Sequence, residues 1–162
     1  MLDELDSLAV ALGERLKSQQ MLITAAESCT GGWVAKVITD IPGSSHWFER
    51  GFVTYTNSAK QEMLGVRAQT LEQFGAVSLE TVDEMALGAI ENSLAQVAVA
   101  ISGIAGPGGG TEDKPVGTVC LAWAGLAEPV SRRYQFDGDR ESVRRQAVET
   151  ALKGMLEYLS HG

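Results

Sequence analysis

The sequence predicts an α/β fold: a three-layer α/β/α sandwich around a mixed, mostly buried sheet. Three observations predict it. Short apolar, β-branched runs of strand length alternate with longer segments of helical periodicity. The run at 97–102, VAVAIS, is continuously apolar, as a central strand covered on both faces must be. The chain has 162 residues, 44% of them hydrophobic, which is enough for one domain with a sizeable core. It shows no internal repeat, linker or low-complexity segment, so residues 1–162 are read as a single domain.

Residues 3–19 open the chain as an amphipathic helix, with Leu5, Leu8, Ala9, Leu12 and Leu16 on one stripe. The stretch 22–38, LITAAESCTGGWVAKVI, organises the rest. Leu22 to Ala26 have the length and branching of a buried strand. Glu27-Ser28-Cys29 turn polar, Thr30-Gly31-Gly32 follow, and Trp33, Val34, Val37 and Ile38 then recur at helical spacing. Pro42 and Gly43 close that helix. Residues 47–56, WFERGFVTYT, read as a strand in which Gly51 suggests a bulge or a close backbone approach. Asn57 or Ser58 caps a short helix to about Leu64, ended by Gly65. Residues 69–74 form another short helix, and Ser78 begins a longer one carrying Val82, Met85, Ala86, Ala89 and Ile90 on one face. After the strand at 97–102 comes a glycine-rich loop, GIAGPGGGTEDKPVG. GTVCLAWAG and PVSRRYQFD follow as a hairpin turning through Gly125 to Pro129. Asp139 caps a final helix reaching about residue 160. Strand order does not follow from any of this.

The net charge of −8 argues against general nucleic-acid binding, which needs a dense basic surface. The acidic, charge-interrupted N-terminus reads as neither signal peptide nor membrane span. The two cysteines, Cys29 and Cys120, lack metal spacing and are too few for a disulfide framework, so a reducing cytoplasm is the expected location.

The turn at 27–32 carries the chemistry. In α/β folds such a turn lies at the carboxyl end of a strand, where ligands bind. Its N–H groups, opening a helix, suit an anion. It holds a carboxylate, a hydroxyl and a thiol in succession, and Glu27 alone is also explained as a structural cap. Ser28 needs a base to become a nucleophile. His161 is penultimate, and His46 lies in a Gly-Ser-Ser-His turn, so a histidine-based triad has little support. The next candidate is Lys60, at the entrance of a short helix after Tyr55-Thr56-Asn57, which acts as a base only if burial lowers its pKa. Read alone, the pattern at Lys60 favours a solvated surface lysine. Cys29 is the alternative nucleophile, since a helix N-terminus activates a thiol, or else a small buried residue. The loop Gly106-Pro107-Gly108-Gly109-Gly110 matches neither a dinucleotide fingerprint nor a Walker pattern, yet its bare backbone can approach a ligand. Arg140, Arg144 and Arg145 cluster at a helix start, where the dipole disfavours cations; a phosphate or carboxylate partner, or pairing with Glu141 and Glu149, would account for them.

Four segments in order, TAAESCTGGWVAKVITDIPGSS, GFVTYTNSAK, GAVS and AISGIAGPGGGTEDKPVGTV, resemble the CinA C-terminal domain family over about residues 5–158. The likeness is to its stand-alone nicotinamide-nucleotide amidases. Larger members carry a further N-terminal domain linked to pyrophosphatase activity, which is not carried over. The resemblance implies hydrolysis of nicotinamide mononucleotide to nicotinate mononucleotide and ammonia in pyridine-nucleotide salvage. It implies a serine–lysine mechanism without metal or cofactor, with Ser28 and Lys60 at the matching positions and Tyr55 as a third member. Thr30, Gly31 and Gly32 would supply N–H groups to the oxyanion. Ser45, Asn57, Ser102, Gly103, Ala105 and Gly106 would contact substrate, and Arg145 or the Gly103–Gly110 loop would take its phosphate. A homodimer is the assembly the resemblance implies. A catalytically inactive nucleotide-binding paralogue of the same fold, or a serine or cysteine hydrolase of another amide, are the competing readings.

Overall fold

The computed structural model describes residues 3–161. In chain order its elements are α1 (Glu4–Ser18), β1 (Ile23–Glu27), α2 (Trp33–Thr39), β2 (Phe48–Val53), α3 (Asn57–Leu64), α4 (Ala68–Phe74), α5 (Leu79–Glu91), β3 (Val97–Gly103), β4 (Thr118–Ala124), β5 (Val130–Gln135) and α6 (Arg140–Ser160). A single 3₁₀ turn, Ser44–His46, precedes β2.

The strands form one mixed sheet in the order β2-β1-β3-β4-β5. β1 lies parallel to β2 and β3; β4 runs antiparallel to β3 and to β5. Side-chain alternation sorts the central strands onto two faces. Ile23, Ala25, Val97, Val99, Ile101, Val119, Leu121 and Trp123 meet the apolar stripes of α1, α2 and α6. Ala26, Ala98, Ala100, Cys120, Ala122 and Ala124 meet α5 and the end of α3. The second face is almost all alanine, which lets α5 pack close. At Gly88 of α5 a Cβ would stand 1.9 Å from the Leu64 carbonyl oxygen, so only glycine lets α3 come this near. This contact seats α3, the helix that carries Lys60.

The capping residues behave as the sequence suggests at Ser78 and Asp139, and Asp3 caps α1 in the same way; each side chain accepts from the N–H three residues on. α3 differs: Thr56, not Asn57 or Ser58, is its cap, accepting from the Ala59 N–H at 3.0 Å. β2 is shorter than the aromatic run and ends at Val53. Its irregularity lies between Phe48 and Arg50, where the register with Ile23 and Thr24 slips by one residue. At Gly51 a Cβ would meet only ordinary contacts of 3.5 Å or more, so the expected bulge or close approach there is corrected.

Connections from β1 and β3 leave in opposite directions, to β2 and to β4. The crevice between their carboxyl ends is therefore the topological switch point, where ligands bind in open α/β sheets. No helix among the described residues is long and apolar enough to cross a membrane.

Candidate active site

β1 delivers Ser28 to that crevice. The Ser28 N–H extends the β1–β3 ladder by donating to the Ile101 carbonyl at 3.1 Å, and the Gly31 N–H closes the turn onto the Ser28 carbonyl at 3.1 Å. Glu27, 1% exposed, turns its carboxylate the other way. It accepts from the Thr30 hydroxyl at 2.6 Å and from the N–H groups of Gly32, Val34 and Ala35 at 3.2, 3.0 and 3.0 Å. The N-cap of α2 is Gly32, which has no side chain to cap with, and Glu27 does that work from outside the helix. So α2 presents no vacant anion site at its start. The expectation that Gly31 and Gly32 offer N–H groups to an oxyanion is corrected for the same reason: both are already donating. Among the described residues, the N–H groups of Cys29 and Thr30 donate to no backbone carbonyl or carboxylate.

Lys60 is not a surface lysine. It is 1% exposed, and its Nζ lies 2.9 Å from Ser28 Oγ, 3.0 Å from the Thr54 carbonyl and 3.4 Å from the Tyr55 carbonyl. Burial lowers its pKa from the ordinary lysine value. A carbonyl can only accept, so two of these contacts use Nζ–H groups. For the neutral amine, that leaves the nitrogen lone pair for the Ser28 hydroxyl. The sequence could not show this, because 32 residues separate the partners.

Cys29 is buried, and burial pushes its thiol up to about 11. It is fully protonated at neutral pH and its thiolate is scarce. Cys29→Ala is expected to leave turnover within about threefold of the parent, as befits a small packing residue; progress curves of the purified variant check this.

The cavity above Ser28 has a volume of about 230 Å³. Cys29, Tyr55, Asn57, Lys60, Ser102, Gly103 and Ala105 line it together with Ser28. Ala76 and Val77, from the turn before α5, close one side, and Arg140 stands in it from the start of α6. The sequence does not single out Ala76 and Val77 as site residues, because the GAVS segment that includes them carries no reactive side chain there; Arg140 stands out only as one of three arginines at a helix start. Arg140 donates to the Gly106 carbonyl at 2.9 Å and to the Tyr55 hydroxyl at 3.3 Å, and it has no carboxylate partner among the described ion pairs. The Tyr55 ring is 59% exposed, and its phenol bonds Arg140 rather than Ser28 or Lys60.

Other expected contacts lie elsewhere. Arg145 is exposed on α6, outside the residues lining the cavity, where its charge acts on Glu149. The helical turn that carries Arg140 and Arg144 inward carries Arg145 outward, one residue being a 100° step. Ser45 lies in the 3₁₀ turn that leads into β2. It therefore sits at the amino ends of the parallel strands, a strand length from Ser28. Thr30, Gly31 and Gly32 border a separate open cleft with Trp33, Lys36 and Arg144. Arg144 clamps the turn from that side, donating to the Cys29 and Thr30 carbonyls at 3.0 and 3.1 Å and lying 5.4 Å from the Trp33 ring centroid.

The family model of the CinA C-terminal domain matches residues 5–159. The chain belongs to this family. It is 60% identical over 155 residues to the nicotinamide-nucleotide amidohydrolase PncC of Escherichia coli (strain K12), covering 95% of this chain and 94% of that protein. To the protein of the same name from Pseudomonas putida it is 53% identical over 156 residues, covering 96% and 98%. Its backbone matches the crystal structure of the competence/damage inducible protein CihA from Agrobacterium tumefaciens with a TM-score of 0.94 at 44% identity, over 99% of this chain and 98% of that one. As a CinA-domain protein it carries this family's fold along its whole described length.

Proposed function

We propose that the protein is a nicotinamide-nucleotide amidohydrolase, converting nicotinamide mononucleotide and water to nicotinate mononucleotide and ammonia by a Ser28–Lys60 dyad. The observation that carries the reading is the buried lysine, which has two carbonyls to hold its N–H groups and a serine hydroxyl at 2.9 Å. The high identity to relatives named for this activity supports the choice of substrate.

Ser28 Oγ attacks the carboxamide carbon while its proton passes to the neutral Nζ of Lys60. The carbonyl oxygen becomes an oxyanion, for which the Cys29 and Thr30 N–H groups are the donors still available in the turn. Collapse breaks the C–N bond, and the departing nitrogen takes the proton that Lys60 holds, leaving as ammonia. Water then adds to the acyl carbon, giving its proton to Lys60, and Ser28 leaves with that proton restored. Every proton is conserved and no cofactor enters the balance.

The cavity is smaller than the roughly 300–1,000 Å³ that encloses a drug-sized ligand. It suits the pyridine carboxamide, with ribose and phosphate directed to the mouth. Arg140 lines the cavity with no carboxylate partner among the described residues and takes the phosphate side in place of Arg145; Tyr55, Asn57, Gly103 and Ala105 frame the rest.

Ammonia release from the mononucleotide and from free nicotinamide tests the reading. The mononucleotide is expected to be much the better substrate, because its remote phosphate contributes binding energy toward the transition state. Arg140→Ala is expected to lower kcat/KM for the mononucleotide roughly ten- to a hundredfold, the range of a lost charge-assisted hydrogen bond, and to leave free nicotinamide unaffected. Equal turnover of the two compounds by the parent would remove the nucleotide assignment.

A further inference from the structure

We infer that the Ser102 hydroxyl is the specificity element for the amide nitrogen, accepting a hydrogen bond from the substrate –NH₂ while Ser28 attacks its carbon. The inference rests on the amidase reading above and adds to it the group that distinguishes a carboxamide from other carbonyl substrates.

Strand register places this hydroxyl. Glu27 of β1 pairs with Ile101 of β3, and the Ser28 N–H continues the ladder onto the Ile101 carbonyl at 3.1 Å. Ser28 and Ser102 are thus the next neighbours across two parallel strands. Ala26, Ala98 and Ala100 all face α5, and alternation by two puts Ser28 and Ser102 on that same face. Adjacent strands lie about 4.8 Å apart, so the two hydroxyls flank a space of one planar amide group. Ser102 is 1% exposed and lines the cavity beside Lys60. Among the described residues its hydroxyl makes no hydrogen bond to protein and borders the cavity, with Ala100 along its strand and Cys120 opposite on β4. A hydroxyl that borders the cavity without a protein partner is free to pair with a ligand there.

The chemistry of the other groups decides which end of the amide it meets. The Cys29 and Thr30 N–H groups are donors and belong to the carbonyl oxygen. Lys60 directs its own N–H groups to Thr54 and Tyr55 and faces the Ser28 hydroxyl. The amide –NH₂ then needs an acceptor, and the Ser102 oxygen has two lone pairs to offer. A site built to bond an N–H discriminates strongly against analogues that lack it.

The test compares two ligands with the intact protein and Ser102→Ala. The first is nicotinamide mononucleotide, followed by ammonia release. The second is its aldehyde analogue, which carries hydrogen in place of the amide nitrogen and captures Ser28 as a hemiacetal. Ser102→Ala is expected to lower kcat/KM for the amide roughly ten- to a hundredfold, the cost of leaving one enclosed N–H unpaired. Its inhibition constant for the aldehyde should stay close to that of the parent, which also shows that the variant is folded and its dyad intact. Undiminished ammonia release in Ser102→Ala overturns the inference. So does an equal loss of aldehyde affinity, which would mean that the hydroxyl only supports the packing of the site. If the parent protein releases no ammonia and does not bind the aldehyde, the amidase reading itself fails and this inference falls with it; a dead Ser28→Ala beside an unimpaired Ser102→Ala overturns the inference alone.

Discussion

Ser28→Ala is expected to lose ammonia release by a factor of at least about 10⁴, the scale seen when a nucleophile acting in a unit with its base is removed. The fold should survive. Ser28 is 7% exposed, the change removes one oxygen, and the turn is held by backbone bonds and by Glu27, none of which uses Oγ. Substrate should still bind, because the cavity walls and Arg140 are untouched. Calorimetry with the mononucleotide on the inactive variant checks binding directly. The competing nucleophile is one residue away, so Cys29→Ala belongs in the same experiment. A Ser28→Ala variant that keeps its activity, beside a dead Cys29→Ala, would transfer the attack to sulfur despite a thiol pushed up to about 11.

Lys60 gives the second large effect. Its pKa is lowered by burial, so the neutral amine that can take a proton gains population as pH rises through that lowered value. The sign follows from the active form: kcat/KM should rise with pH and level off once Lys60 is deprotonated. Below that inflection Lys60 is an ammonium and cannot take the Ser28 proton. Lys60→Ala should reduce turnover by roughly 10³-fold or more, since general-base catalysis contributes 10²–10⁴ and the hydroxyl is left without an acceptor. Lys60→Arg should be nearly as inactive, because a guanidinium keeps its proton at any working pH. The Ala variant also leaves a void beside Ser28, and small primary amines such as ethylamine should restore part of the rate in it and none in Lys60→Arg. Substantial activity in Lys60→Arg would reduce the lysine to a positive anchor and assign the proton to another group.

Local chemistry made much of this molecule readable in one dimension. The β1–turn–α2 unit, the caps at Ser78 and Asp139, the αL glycine at Gly65 and the hairpin of β4 and β5 all depend on residues within a few positions of one another. Ser28 was legible for that reason, as was the three-layer class, since periodicity reports which face of each element is buried. Glu27 was weighed as a cap, but its reach of five to eight residues to Gly32, Val34 and Ala35 depends on how the turn bends.

The remaining assignments are relations between distant segments. Lys60 has the pattern of a surface residue, and it is buried beside Ser28 because Gly88 lets α3 settle against α5 and the sheet. Arg140 and Arg145 carry the same side chain on the same helix, and the way α6 is rotated on its alanine and valine stripe decides which one enters the cavity. Ser45 belongs to a segment close in sequence to α2 but joins the amino end of β2, so strand direction carries it away from the crevice. Ser102 stands beside Ser28 because β3 returns to pair with β1. The sequence therefore determined which local elements form and which reactive groups they carry. Sheet order, register and helix rotation determined which of those groups meet, because long-range pairing depends on the combined packing of all layers and leaves no periodic trace along the chain.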